Sequence, residues 1–130
     1  MSARPRVLLV DDNQAILSRA AAILSDACVV LGSVTNGEAA LGAVDALKPD
    51  VIVLDVSLPG MSGIDVAIRL RSSGSSVAVV FLTVHHDEDF VQAAQRAGGM
   101  SYVLKPRLVS DLVIAVLEAH AGRSYLSGAR

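Results

Sequence analysis

The sequence predicts an α/β fold built on a parallel sheet, and three observations carry that expectation. Short apolar runs recur near residues 6–10, 28–34, 51–55, 77–83 and 101–105. They are continuous rather than alternating, as strands buried on both faces require. A stretch with helical spacing follows each run, so five β-α units succeed one another, with right-handed crossovers expected. The 130 residues suffice for one well-buried core. One domain, residues 1–130, is therefore expected, with 122–130 starting a linker or tail.

The first strand, Val7-Leu8-Leu9-Val10, runs into Asp11-Asp12, and Asn13 is placed to cap the first helix. That helix carries an apolar stripe of Ile16, Ala20, Ile23 and Ala27, flanked by Leu17 and Leu24. Cys28, Val29 and Val30 lie in the second strand, where a lone cysteine reads as an inert core thiol. Gly37 to Leu47 is Ala- and Leu-rich and stops before Lys48-Pro49, where proline forces the chain out of helix. Val51-Ile52-Val53-Leu54 leads to Asp55. Ile64, Ala67, Ile68 and Leu70 follow Gly63, and Ser73-Gly74-Ser75-Ser76 ends that helix. The fourth strand closes on Thr83. Asp87, Glu88 and Asp89 open the fourth helix, where negative charge is favoured, and Gly98 closes it. Tyr102-Val103-Leu104 leads to Lys105, and Ser110 is expected to cap a last helix running to about Ala121.

Composition excludes several classes. A 52 % hydrophobic content with 18 % charged residues rules out a disordered chain. The longest apolar runs, Val77 to Leu82 and Leu112 to Leu117, are far too short to span a membrane. Met1-Ser-Ala-Arg-Pro-Arg has no apolar signal segment, so a cytoplasmic location is expected. A net charge of −2 provides no electrostatic footprint for nucleic acid, so no DNA binding by this chain alone is expected.

The charged residues that end the strands carry the chemistry. Asp11-Asp12, Asp55 and Lys105 each follow directly on an apolar run. A charge beside a core is costly unless an opposite charge or water meets it. In an open α/β sheet, ligands bind beyond the carboxyl ends of the strands, where strand order reverses. The first and third strands flank that point in the flavodoxin-like order 2-1-3-4-5, and they are the ones that end in the acids. Clustered carboxylates repel each other, and a hard divalent cation such as Mg²⁺ relieves the conflict through oxygen ligands. The three aspartates and the lysine leave a formal −2 that Mg²⁺ would neutralise. Lys105 suits a point-charge contact to a phosphoryl oxygen, and Thr83 could offer a hydroxyl to the same group.

These residues fall into a known pattern. Val10-Asp11-Asp12, Leu54-Asp55-Val56-Ser57-Leu58-Pro59-Gly60-Met61-Ser62-Gly63, Leu82-Thr83 and Tyr102-Val103-Leu104-Lys105-Pro106 appear in order, with Asn36-Gly37-Glu38-Ala39-Ala40-Leu41 between them. The chain closely resembles the receiver domain of two-component response regulators over essentially its full length. The resemblance implies a flavodoxin-like (βα)5 domain whose Asp55 takes a phosphoryl group from a sensor histidine kinase. Asp12 would bind Mg²⁺ directly and Asp11 through water, with Asp55 and the backbone carbonyl of Ser57 completing the protein's share. Thr83 and Lys105 would hold the phosphoryl oxygens, and Tyr102 would swing inward as the switch aromatic. The resemblance also implies a cis bond before Pro106, aiming Lys105 into the pocket, and homodimerisation on phosphorylation. Residues 121–127 resemble the subfamily that carries a LuxR-type helix-turn-helix domain after the receiver, through which transcription would be controlled. Val84 departs from the family, which often has Ala, Gly or Ser there, and its bulk bears on exchange with attacking water or partners.

Other readings are weaker. Strand-end aspartates also serve as caps and turn formers, but that does not explain four charged positions at three strand ends. Tyr102, taken alone, could be a core residue. His85-His86 are adjacent and so do not face one way, which makes them loop residues rather than a metal pair. Neither phosphate-loop glycine spacing is present; Gly60 and Gly63 serve a turn. A haloacid dehalogenase-type phosphohydrolase would want Asp-x-Asp, and Asp55-Val56-Ser57 lacks the second acid. A pseudo-receiver that only binds or dimerises would not need the complete set of site residues found here.

Overall fold

The computed structural model describes residues 4–84 and 87–126. Six parallel strands make one sheet: β1 Arg6–Val10, β2 Val29–Val34, β3 Val51–Asp55, β4 Ala78–Thr83, β5 Gly99–Leu104 and β6 Tyr125–Leu126. Their order is β2-β1-β3-β4-β5-β6, so strand order reverses between β1 and β3. The helices are α1 Gln14–Leu24, α2 Gly37–Leu47, α3 Gly63–Ser72, α4 Glu88–Arg96 and α5 Leu108–His120.

Side-chain alternation along the strands splits the core in two. Leu8, Val10, Ile52, Leu54 and Phe81 face α2, α3 and α4, whereas Val7, Leu9, Val51, Val53, Val80 and Leu82 face α1 and α5. Most of these side chains are almost fully buried. Each contributes about 1.5–3 kcal/mol through loss of apolar surface to water, so the central strands are firmly anchored in the core. Functional groups at their ends inherit that rigidity. Cys28 is buried in the second cluster, and burial pushes its thiol pKa up, as expected of an inert core thiol.

Local chemistry sets the helix ends. The Asn13 side chain accepts from Ile16 N–H, and Asn36 does the same for Ala39. Ser62 and Asp65 form a reciprocal capping box at α3. Asp87 caps α4 by accepting from Asp89 and Phe90.

The structure corrects three expectations. A sixth short strand joins the five, because Tyr125–Leu126 pairs with the otherwise open edge of β5. No peptide bond among the described residues is cis, so the bond before Pro106 is trans. Pro106 opens a 3₁₀ turn, Lys105–Arg107, where its fixed φ suits a first turn and its missing N–H has no helical acceptor. That turn leads directly into α5, which therefore starts at Leu108. Ser110 lies inside the first turn, and its hydroxyl bonds back to the Arg107 carbonyl instead of capping. His85 and His86 lie outside the described residues.

Candidate functional site

The carboxyl ends of β1, β3, β4 and β5 meet at one edge of the sheet. The pairing of Val10 with Leu54, of Asp55 with Leu82 and of Thr83 with Leu104 brings the residues that follow each strand together. Asp11 and Asp55 are 1 % and 3 % exposed, whereas Asp12 faces solvent. One carboxylate oxygen from each of Asp11, Asp12 and Asp55 lies within 4.8 Å of the other two. The Lys105 ammonium sits 2.8 Å from Asp11 Oδ2 and 3.4 Å from Asp55 Oδ2.

The loops that follow the strands hold these groups in place. Asn13 N–H donates to Asp11 Oδ1 at 2.9 Å, and Ser57 N–H donates to Asp55 Oδ1 at 3.2 Å. Gly63 N–H donates to the Val56 carbonyl, folding the loop back against the end of β3. A Cβ at Gly63 would lie 2.1 Å from the Asp55 carbonyl oxygen, so only glycine permits this approach. The turn therefore fixes the backbone of the buried aspartate.

The electrostatics are unbalanced. Burial raises the Asp55 pKa, the Asp11 charge raises it further, and Lys105 and the Ser57 N–H offset only part of this. For Lys105, burial alone would lower the pKa. Contact with Asp11 and the charges of Asp55 and Asp11 outweigh it, and the pKa ends raised. Asp11 Oδ2 is buried without a well-directed hydrogen bond, its close partner being the lysine. Asp11 and Asp55 thus share one ammonium, with the Asp12 carboxylate beside them. An all-oxygen donor set with a buried, under-satisfied carboxylate oxygen is the kind of environment a hard divalent cation fits.

Thr83, 6 % exposed, ends β4 at the rim of this pocket. Tyr102, on β5, is also buried, and the register of β4 with β5 sets it diagonally across from Thr83. Burial raises its pKa. Ser57 is exposed beside Asp55. Val84, next to Thr83, is 55 % exposed, so its bulk points toward solvent at the rim.

All the expected side chains therefore gather at this edge or border it. Sequence reasoning missed the supporting backbone donor Asn13 N–H. The Asp-Asp-Asn order before α1 held the signal for it, since aspartate commonly accepts from the backbone two residues on.

Comparison with known proteins agrees with this geometry. Residues 7–117 match the family model described as the response regulator receiver domain. The chain is 36 % identical over 126 residues to the nitrate/nitrite response regulator protein NarL of Escherichia coli K12. That match covers 95 % of this chain and 58 % of NarL. It is 32 % identical over 124 residues to the response regulator GacA of Pseudomonas aeruginosa, covering 94 % and 58 %. The chain thus spans a little over half the length of these curated relatives. Among solved structures, the signal receiver domain of a NarL response regulator from Mycobacterium tuberculosis superposes with a TM-score of 0.89 at 31 % identity. It covers 94 % of this chain and all of that one. A LuxR-family two-component response regulator from Aurantimonas sp. SI85-9A1 superposes at 0.91 and 26 % identity, over 97 % and 91 % of the two chains. The strand-end acids, the lysine that bridges them and the full-length match lead to one conclusion: this chain belongs to the response regulator receiver domain family, in its NarL/LuxR branch.

Proposed function

We propose that Asp55 accepts a phosphoryl group from the phosphohistidine of a sensor histidine kinase, and that the resulting aspartyl phosphate repacks the face made by α4, β5 and α5. The observation that carries this reading is the Asp55 carboxylate: buried at the end of a central strand, next to two further acids, with Lys105 Nζ 3.4 Å away. An Asp55 oxygen attacks phosphorus, the phosphorus–nitrogen bond of phosphohistidine breaks, and the departing imidazole takes up a proton. Lys105 holds a phosphoryl oxygen as a point charge, and Thr83 donates its hydroxyl to another. The rigid end of β3 and the Gly63 turn keep the nucleophile aligned.

Asp12, Asp55 and the Ser57 carbonyl would hold Mg²⁺ directly, and Asp11 through water. The ion would supply charge neutralisation for oxygens of the incoming group. The chain acts as a phosphoacceptor and signalling domain rather than a turnover enzyme. A cytoplasmic location fits, since among the described residues no helix is long and apolar enough to cross a membrane.

Phosphorylation exchanges a charge of −1 for about −2 and adds oxygens that compete for the Thr83 hydroxyl. The output face carries exposed apolar side chains, among them Phe90 on α4 and Val109, Ile114 and Leu117 on α5. Such a surface suits homodimerisation, with transcription as the end point through an output domain. Beryllofluoride with Mg²⁺ tests the reading. Amide shifts centred on Thr83 and Tyr102, together with faster sedimentation, are expected. Unchanged shifts and sedimentation would remove the switch.

A further inference from the structure

Lys105 reaches the pocket from a turn rather than from the strand itself. That turn, Lys105–Arg107, is one 3₁₀ turn in which Leu108 N–H donates to the Lys105 carbonyl. Such short turns have poor hydrogen-bond geometry and little stiffness of their own. The direction of the Lys105 stem therefore depends on what holds the turn from outside. Two ties to α5 do so, one on each side of the lysine. Before it, the Ser101 hydroxyl donates to the Ala115 carbonyl at 3.0 Å inside the core. After it, Arg107 Nε donates to Asp111 Oδ2 at 2.8 Å, and its Nη2 lies 3.4 Å from Asp111 Oδ1.

The second tie is anchored in the core. Asp111 is only 2 % exposed, although it lies in the first turn of α5, and its neighbours Leu108, Leu112 and Ala115 are fully buried. A buried carboxylate is costly unless a partner meets it, and the forked guanidinium of the half-exposed Arg107 is that partner. The Ser110 hydroxyl lies 3.2 Å from the Arg107 carbonyl and 3.1 Å from Asp111 Oδ1, bracing both. Helix stability alone does not account for the pair. A cation at a helix N-terminus opposes the dipole, and a base four residues before an acid is the weaker order of such pairs. What the pair does is fix the last residue of the turn that starts with Lys105.

We propose that Asp111 is a positioning residue for the phosphoryl site: through Arg107 it fixes the Lys105–Arg107 turn and so keeps the Lys105 ammonium between Asp11 and Asp55. The lysine stem is flexible, so an untethered turn lets the ammonium leave its places 2.8 Å from Asp11 and 3.4 Å from Asp55. A phosphoryl oxygen then meets a poorly aimed charge, and a misplacement of about 1 Å can cost about a hundredfold in rate. The effect on phosphoryl transfer rests on the function proposed above, whereas the aiming of Lys105 stands on the contacts alone.

NMR relaxation of the Lys105 ammonium nitrogen in the full chain, without Mg²⁺ or a phosphoryl donor, tests the aiming directly. Asp111→Asn keeps the shape and removes the charge. Arg107→Gln removes the guanidinium at a half-exposed position, where the fold tolerates it. Each should lower the order parameter of that ammonium, and each should slow phosphorylation by acetyl phosphate and Mg²⁺ about tenfold. The double variant should be no slower than either single one, because Asp111 acts through Arg107. Arg107→Lys, which keeps the charge but not the fork, should recover part of the order. A role in stability alone would lower the urea midpoint and leave order parameter and rate as in the parent, and that result would overturn the proposal. A loss of about a hundredfold in the double variant would overturn it too, since the two residues would then act separately. If the parent chain takes no phosphoryl group, the phosphoacceptor reading falls, and the order parameter still decides the positioning.

Discussion

The two ends of the sheet both carry charges and differ in how those charges are met. At the amino end, Arg6 N–H donates to Asp50 at 2.9 Å, and the Arg6 guanidinium bonds the Lys48 and Leu47 carbonyls at 2.7 and 2.9 Å. These groups are exposed and locally satisfied, at the edge of a broad open groove of about 1330 Å³ lined by Lys48, Asp50, Arg69 and the serines of 72–76. At the carboxyl end two nearly buried acids share one lysine, with an exposed third acid beside them. That groove is open surface beside the hydrogen-bonded Arg6 and Asp50. The carboxyl end holds uncompensated charge in a fixed frame, and that is where chemistry is to be expected.

The largest test of this contrast removes an acid from each end. Asp12→Ala should cut phosphorylation by acetyl phosphate and Mg²⁺ at least about a hundredfold, because water replaces the ligand but not its charge. Asp11→Ala should weaken it less. Asp50→Ala, at the other end, should leave the rate unchanged. Mass spectrometry of the intact protein over time reads all three, and a normal rate for Asp12→Ala would break the assignment.

The second prediction concerns stability. Burial and the neighbouring Asp11 raise the Asp55 pKa above its unfolded value, so the folded state binds its proton more tightly. The stability linked to that proton is fully present below the unfolded pKa of about 3.9 and is lost as pH rises through the raised folded value. Asp55→Asn should therefore stabilise the Mg²⁺-free protein at pH 7, by roughly 1–3 kcal/mol in urea unfolding. The gain should shrink toward pH 4 and on adding Mg²⁺. A gain independent of both would mean that the pocket is not electrostatically strained.

The smallest effect belongs to the amino end. Arg6→Ala removes exposed hydrogen bonds and should cost about 1 kcal/mol or less, with no change in phosphorylation. A large loss of stability or of phosphorylation would mean that the two ends are coupled.

Much of this contrast was legible in the sequence. Val7 to Val10, Val51 to Leu54 and Tyr102 to Leu104 are apolar because both faces of each strand are covered. The charged residue that breaks each run therefore marks both the strand end and the pocket. What was not legible depends on tertiary partners. Tyr125-Leu126 is too short to announce a strand and becomes one only because β5 offers an open edge. Ser110 looked like a cap because it precedes an apolar run, but the 3₁₀ turn at Lys105–Arg107 had already started the helix. The expected cis bond came from resemblance rather than from any local signal. Lys105 reaches Asp11 from the end of β5 with a trans bond. The nearness of Thr83 to Tyr102 required β4 and β5 to pair in their observed register.

The central claim is that the uncompensated carboxyl end, through Asp55, takes the phosphoryl group. The most direct measurement is peptide mapping of the chain after treatment with acetyl phosphate and Mg²⁺, with the acyl phosphate trapped by borohydride reduction. The account predicts one phosphoryl mass on the intact chain before reduction and homoserine at position 55 after it, with no label at that position in Asp55→Asn. Label on a residue outside the Asp11–Asp12–Asp55 cluster, or equal labelling of Asp55→Asn, would contradict it.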